Sequence, residues 1–292
     1  MKIVFFGTPD YALPILTLVH KKFVTGPGKS PIVAVVTQSP KPIGRKQILS
    51  YSPIDKWAHE RGIPIYYSAQ ELLENSIDAQ IGILASYGEI IKKDVISLFP
   101  QGILVIHPSL LPAYRGASPV PATIINGDKI TGCSIIQMDE KMDHGSIISQ
   151  FKEEVRPDDD AESLRNRLFE KSAEVLVEML TPYIQGKIAL KKQDDKKATF
   201  TKLMKKEDGY IDMNQKSPEE IERFVRAMKP WPGAWTNIQF TMNNEKFTKR
   251  LKLLKSHLEE EKLVLDEVQL EGRDPVSWKQ FKEGYNTMQF VK

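Results

Sequence analysis

At 292 residues, with a net charge of +3, 41% hydrophobic and 27% charged side chains, the chain has the make-up of a folded protein long enough for two domains. One cysteine, Cys133, excludes a disulfide framework and an all-cysteine metal site, and the five histidines show no HExxH-type spacing, so no metal is expected. The charge is uneven: residues 187–292 carry 22 Lys/Arg against 17 Asp/Glu, leaving a net −2 for the first 186, a weak pointer to a nucleic-acid partner.

Lys2-Ile3-Val4-Phe5-Phe6 reads as a short strand ended by the Gly7-Thr8-Pro9-Asp10 turn. Four apolar residues are too few for a signal-peptide core, so a cytoplasmic protein is expected. Tyr11 to His20 reads as a helix. Thr25-Gly26-Pro27-Gly28-Lys29-Ser30 ends like a phosphate loop, but Phe23 stands where the motif needs glycine and the segment precedes a strand, so it is a surface turn. Ile32 to Thr37 is a β-branched run suited to a parallel sheet buried on both faces, and Ser52-Pro53 opens a helix as cap and first residue. Ile81 to Ala85 and Gly102 to His107 are two further buried strands. This alternation predicts an α/β fold of βαβ units with helices on both faces of the sheet.

Val95 to Tyr114 runs 20 residues without a formal charge, but Pro100, Pro108 and Pro112 would break a spanning helix, so no membrane is expected. Ile130 to Met138, which contains Cys133 as a buried structural thiol, and Ser146 to Phe151 are strand candidates. Ala161 to Ile184 is a long amphipathic helix with Leu164, Leu168, Val175 and Met179 on one stripe. Lys191 to Lys197 is polar and patternless. The expected division is a domain of residues 1–186, a linker of 187–204 and a smaller domain of 205–292. In the last, Ser217-Pro218-Glu219-Glu220 is a capping box, with Ile221, Phe224, Val225 and Met228 at helical spacing behind it. The strands Trp235 to Phe240, Arg250 to His257 and Lys262 to Leu270 then suggest a small β-barrel.

Open α/β sheets bind ligands beyond the carboxyl ends of their strands, where His107 projects. The loop behind it is stiffened by Pro108 and Pro112, and Asp143 lies in a turn from which it can orient the ring or take a proton. There is no G-x-S-x-G elbow and no plausible nucleophilic cysteine. A histidine and a carboxylate without a nucleophile suit direct attack by a substrate's own amine.

Several stretches taken together resemble the methionyl-tRNA formyltransferase family. They are Phe6-Gly7-Thr8-Pro9-Asp10-Tyr11-Ala12, Thr37-Gln38 with Pro42-Ile43-Gly44-Arg45, Ala85-Ser86-Tyr87-Gly88, and Ser109-Leu110-Leu111-Pro112 with Tyr114-Arg115-Gly116-Ala117. Met138-Asp139 through Asp143 and Gly145, Ala198-Thr199-Phe200, and Arg226 through Trp235 complete the set, which spans nearly the whole chain in order. The resemblance implies a Rossmann-like formyl-transfer domain with a carboxyl-terminal OB-like barrel that holds tRNA. It further implies formyl transfer from 10-formyltetrahydrofolate to the α-amine of methionine on initiator tRNA; a monomer is expected. His107 and Asp143 match the family's catalytic histidine and aspartate. Ser109, Leu110, Leu111 and Pro112 match its folate loop, with Tyr87 and Gly88 beside them. Arg45 matches its acceptor-stem loop, and Lys46 beside it is a candidate for binding phosphates. Lys249, Arg250, Lys252 and Lys255 are the further candidates for binding phosphates.

One position departs from the family: its third catalytic residue is an asparagine two places before the histidine, where this chain has Val105. The expectation is therefore a slowed enzyme. The alternatives are a weak or inactive relative that binds folate or tRNA, and a sugar-nucleotide N-formyltransferase.

Overall fold

The computed structural model describes residues 1–26, 28–43, 47–242 and 245–291. The first compact unit comprises residues 1–116, 131–153 and 165–200. Its seven-stranded sheet runs Ser146–Glu154, Ile130–Gln137, Ile103–His107, Ile81–Ala85, Ile3–Gly7, Ile32–Val36, Ile65–Tyr66 in spatial order. The five strands from Ile103–His107 onward are mutually parallel, whereas Ile130–Gln137 pairs antiparallel with Ile103–His107.

Because side chains alternate along a strand, the near-continuous apolar runs fill both faces. Ile3, Phe5, Ile83, Leu104 and Ile106 join one core with helices Leu13–Phe23 and Ala161–Ile184. Val4, Phe6, Leu84, Ile103 and Val105 join a second with Leu72, Val95 and Phe99. The first helix begins at Leu13, two residues after the predicted start, because Asp10–Ala12 forms a single 3-10 turn. Ser52 caps helix Pro53–His59 by accepting from the Asp55 amide. In Ala161–Ile184 the predicted Leu164, Leu168 and Met179 are buried and Val175 is half-buried at the edge, while Leu176 and Leu180, both fully buried, complete the stripe. Strand order reverses between Ile3–Gly7 and Ile81–Ala85, the topological position at whose carboxyl ends open α/β sheets bind ligands.

The second unit comprises residues 117–130, 154–164 and 201–292. Its five-stranded antiparallel sheet has the order Val276–Ser277, Lys262–Leu270, Glu245–Glu259, Ala234–Met242, Gln289–Val291, the strand number of an OB-like barrel. Ser217 and Glu220 close the predicted capping box on helix Pro218–Ala227, whose Ile221 and Val225 are buried. Among the described residues no helix is long and apolar enough to cross a membrane, and no cluster of His, Cys, Asp and Glu is arranged to hold a metal.

Candidate active site

His107 is the last residue of its strand, and its side chain is 6% exposed. Its Nε2 lies 2.9 Å from the Tyr114 carbonyl; a carbonyl only accepts, so Nε2 carries the hydrogen and donates. Nδ1 is thereby turned to Asp143, 3.5 Å from Oδ2. The same oxygen accepts from the Gly116 amide at 2.7 Å. Asp143 sits in the left-handed region, φ 48°, in the turn between the last two strands of the sheet. That turn closes only because residue 145 is glycine, since a Cβ there would collide with the Gln137 carbonyl.

The loop after His107 is built around one hydroxyl. Ser134, fully buried and opposite His107 in the antiparallel pair, donates to the Ser109 carbonyl at 2.7 Å. It accepts from the Leu111 amide at 3.0 Å and from Gln150 Nε2 at 2.8 Å. Ser109 Oγ in turn donates to the Ala113 carbonyl at 2.6 Å, and Leu111-Pro112 is a cis peptide. The loop's rigidity thus comes from Ser134 and Gln150 as well as from its prolines. Leu110 and Pro112 stay half-buried at the surface, and Leu111 turns into the second core.

Val105 shares that core with Leu111, and Tyr87 packs against the same cluster. It lies between Leu84 and Ile136 on the flanking strands. It stands on the strand face of His107, as alternation requires. Tyr87 follows Ser86, itself left-handed with φ 57°, and its hydroxyl donates to Glu89 at 2.8 Å; burial, then that carboxylate, pushes the phenol well up. Gly88 is exposed beside Gln38, and a Cβ there would meet Gln38 Nε2 at 2.5 Å. His107, the 109–112 loop, Val105 and Tyr87 therefore belong to the parallel strands Ile103–His107 and Ile81–Ala85 or directly follow them, and Asp143 reaches His107 from the turn after the antiparallel strand Ile130–Gln137.

Residues to which the sequence alone assigned no role complete the surround. Gln193 Nε2 donates to both the Asp143 and the Gly145 carbonyls at 2.8 Å. Its Oε1 accepts from Arg115, whose buried guanidinium also reaches Asp195 at 2.8 Å. Arg115 holds the Asp195 carboxyl below its usual range. His144 links Asp139, at 2.5 Å, to the same Asp195, at 3.3 Å. Thr199 accepts from the Tyr114 amide through Oγ1, and its carbonyl accepts from the Arg115 amide, each at 2.8 Å. Tyr114, Arg115, Asp139, His144 and Thr199 lie within the family-like stretches of the sequence, whereas nothing local marks Gln193 and Asp195 in their polar run. Cys133 is fully buried and burial pushes its thiol up to about 12, which leaves it without thiolate character at neutral pH.

Of the basic candidates, Arg45 and Lys46 lie outside the described residues. The other four lie on strand Glu245–Glu259 in the second unit. Arg250 and Lys252 face outward opposite Asn237 and Trp235, with the guanidinium 3.9 Å over the Trp235 ring. Lys249 pairs with the fully buried Ile238 and so belongs to the other face, although it is exposed. A register shift between Leu253 and Lys255 inserts a residue, reverses the alternation and returns Lys255 to the face of Lys252, opposite Glu267. The structure brings Arg250, Lys252 and Lys255 together and sets Lys249 apart.

Residues 1–180 match the formyl transferase family and residues 203–263 its C-terminal domain. The methionyl-tRNA formyltransferase of Roseiflexus sp. (strain RS-1) is 40% identical over 81% of this chain and 73% of its own. That of Geobacter metallireducens is 34% identical over 97% and 96%. Among solved structures, the methionyl-tRNA formyltransferase of Clostridium thermocellum superposes with a TM-score of 0.59 at 18% identity, covering 92% of this chain and 98% of that one. An N-formyltransferase of Helicobacter canadensis, in complex with folinic acid and dTDP-3-aminofucose, does so with 0.69 at 17%, covering 95% and 98%. These two likenesses show the shared fold, and the nearer sequence relatives, matched across both units, show that the chain belongs to the methionyl-tRNA formyltransferase family.

Proposed function

We propose that this enzyme transfers a formyl group from 10-formyltetrahydrofolate to the α-amine of methionine on initiator tRNA, with His107 and Asp143 as its proton-transfer pair. The observation that carries this is the facing of His107 Nδ1 and Asp143 Oδ2 at 3.5 Å, with both groups nearly closed off from solvent. The folate supplies the activated formyl group. Leu111, Tyr87 and Val105 form an apolar wall beside the histidine that suits a flat ring, and the 109–112 loop borders it. As the amine attacks the formyl carbon, Asp143 accepts the proton that the amine sheds. The pair then returns that proton to the folate nitrogen when its bond to the formyl carbon breaks, so no covalent enzyme intermediate is needed.

Residues 1–186 carry this chemistry. Beyond the linker 187–204, residues 205–292 hold the tRNA, with Arg250, Lys252 and Lys255 on its phosphates and Arg45 and Lys46 at the acceptor stem. The enzyme works as a cytoplasmic monomer. Val105 has no hydrogen to give the oxygen that becomes negative during attack, and this slows turnover while leaving substrate binding in place. The same residue favours one second reading, a binding relative with negligible turnover. Assaying formyl transfer to charged initiator tRNA beside amino-sugar nucleotides, with folate and tRNA binding titrated separately, tests all of this. Preference for the sugar would overturn the substrate, and tight binding of both ligands without turnover would establish the second reading.

A further inference from the structure

The segment 191–199 is anchored to the first unit at both ends. Lys191 pairs through its backbone with Ile147 at 2.8 and 2.9 Å, and Thr199 pairs with Tyr114 and Arg115. Between them Gln193 reaches the Asp143 turn. Two residues that serve the proton-transfer pair hold left-handed backbone, Tyr114 at φ 61° and Asp143 at φ 48°. Such residues keep that conformation only where their surroundings over-determine it. This segment supplies part of those surroundings, beside the Gly116 amide on Asp143 and His107 on the Tyr114 carbonyl. Thr199 fixes Tyr114, whose carbonyl orients His107, and Gln193 fixes the backbone of Asp143. Arg115 donates twice to Gln193 Oε1, so the amide presents its NH2 and not its oxygen to the Asp143 and Gly145 carbonyls.

We infer that Gln193 and Thr199 are positioning residues for formyl transfer: the segment 191–199 sets the geometry of Asp143 and His107 from outside the sheet. The inference rests on the proton-transfer reading of that pair. It assigns the segment a role in kcat, whereas a passive linker has none. Misplacing a reacting group by about 1 Å costs up to ~100-fold in rate.

The test is steady-state formyl transfer over a pH series, with thermal unfolding to verify folding, on Gln193→Ala, Gln193→Glu, Thr199→Val, Thr199→Ser and Asp143→Asn. Gln193→Glu keeps the shape and loses the donor, so it should match Gln193→Ala. Both should lose about 10- to 100-fold in kcat, change the pH profile of kcat, and keep KM for folate and tRNA within about twofold. Thr199→Val should lose kcat and Thr199→Ser should restore it. Unchanged kcat and pH profile in both Gln193 variants, or a loss confined to KM for tRNA, would overturn the inference. Unchanged kcat in Asp143→Asn would instead overturn the proton-transfer reading beneath it.

Discussion

On the proposed reading, Val105 is the side chain at which turnover is set. Its neighbours across the sheet are Leu84 and Ile136, both buried and apolar, so neither offers a partner to an amide placed there. Val105→Asn should therefore lower the stability of the free enzyme by about 1–3 kcal/mol, the usual cost of a stranded buried polar group. It should also raise turnover by about 10²–10³, the effect of one donor at a developing oxyanion. Thermal unfolding and kcat, measured on the same preparation, check both parts; a stability loss without a rate gain would mean that position 105 does not limit the reaction. Cys133 gives a second expectation. With its thiol raised to about 12 by full burial, it should resist iodoacetamide at pH 8 in the native enzyme and react once the protein is unfolded.

Among the elements, strand Glu245–Glu259 shows how one inserted residue redistributes charge. Strict alternation would group Lys249 with Lys255 and oppose both to Arg250 and Lys252. The bulge after Leu253 moves Lys255 to the outer face and leaves Lys249 alone on the inner one. If that outer face meets tRNA phosphates, Arg250→Ala and Lys252→Ala should each weaken binding. Each should also make the slope of log K against log salt shallower by about 0.7–0.9, the share of one neutralised phosphate. Lys249→Ala should change both much less. Equal effects from all three would place the tRNA elsewhere. The loop after His107 depends on another element in the same manner: Ser134 belongs to strand Ile130–Gln137 yet holds Ser109 and Leu111. Ser134→Ala should raise KM for the folate donor, and Ser134→Thr should restore it where the extra methyl is accommodated.

For the whole molecule, acid should act in two stages. The His20 ring packs edge-on against Trp57; burial, then nearby Arg61, lowers its pKa from 6.5. The unfolded chain binds that proton more readily, so this contribution is complete above pH 6.5 and is lost as pH falls below it. Glu153 is held low by its hydrogen bond from Lys171, against the opposing effect of burial, with Arg167 assisting. Its contribution is complete above its ordinary value of 4.5 and is lost as pH falls through the lower folded value. The unfolding midpoint should thus begin to drop near pH 6.5 and drop further below pH 4.5. His20→Gln should flatten the first stage alone, and a first stage that survives in that variant would assign it to another group.

What the sequence determined by itself is what depends on near neighbours. Apolar runs fixed which segments become strands buried on both faces, because period and side-chain type act within a few residues. The serines at 52 and 217 marked helix starts, because a cap bonds an amide three residues on. The ordered motifs singled out His107, Asp143 and the departure at Val105. Tertiary structure alone decided what surrounds them. Arg115 and Gln193 lie 78 residues apart, and Tyr114 and Thr199 85, yet these pairs set the angles of the site. A polar side chain carries no local mark of a distant partner, and a bulge leaves the residue pattern unchanged while reversing its faces. Both follow from how whole elements pack, where many weak interactions decide together.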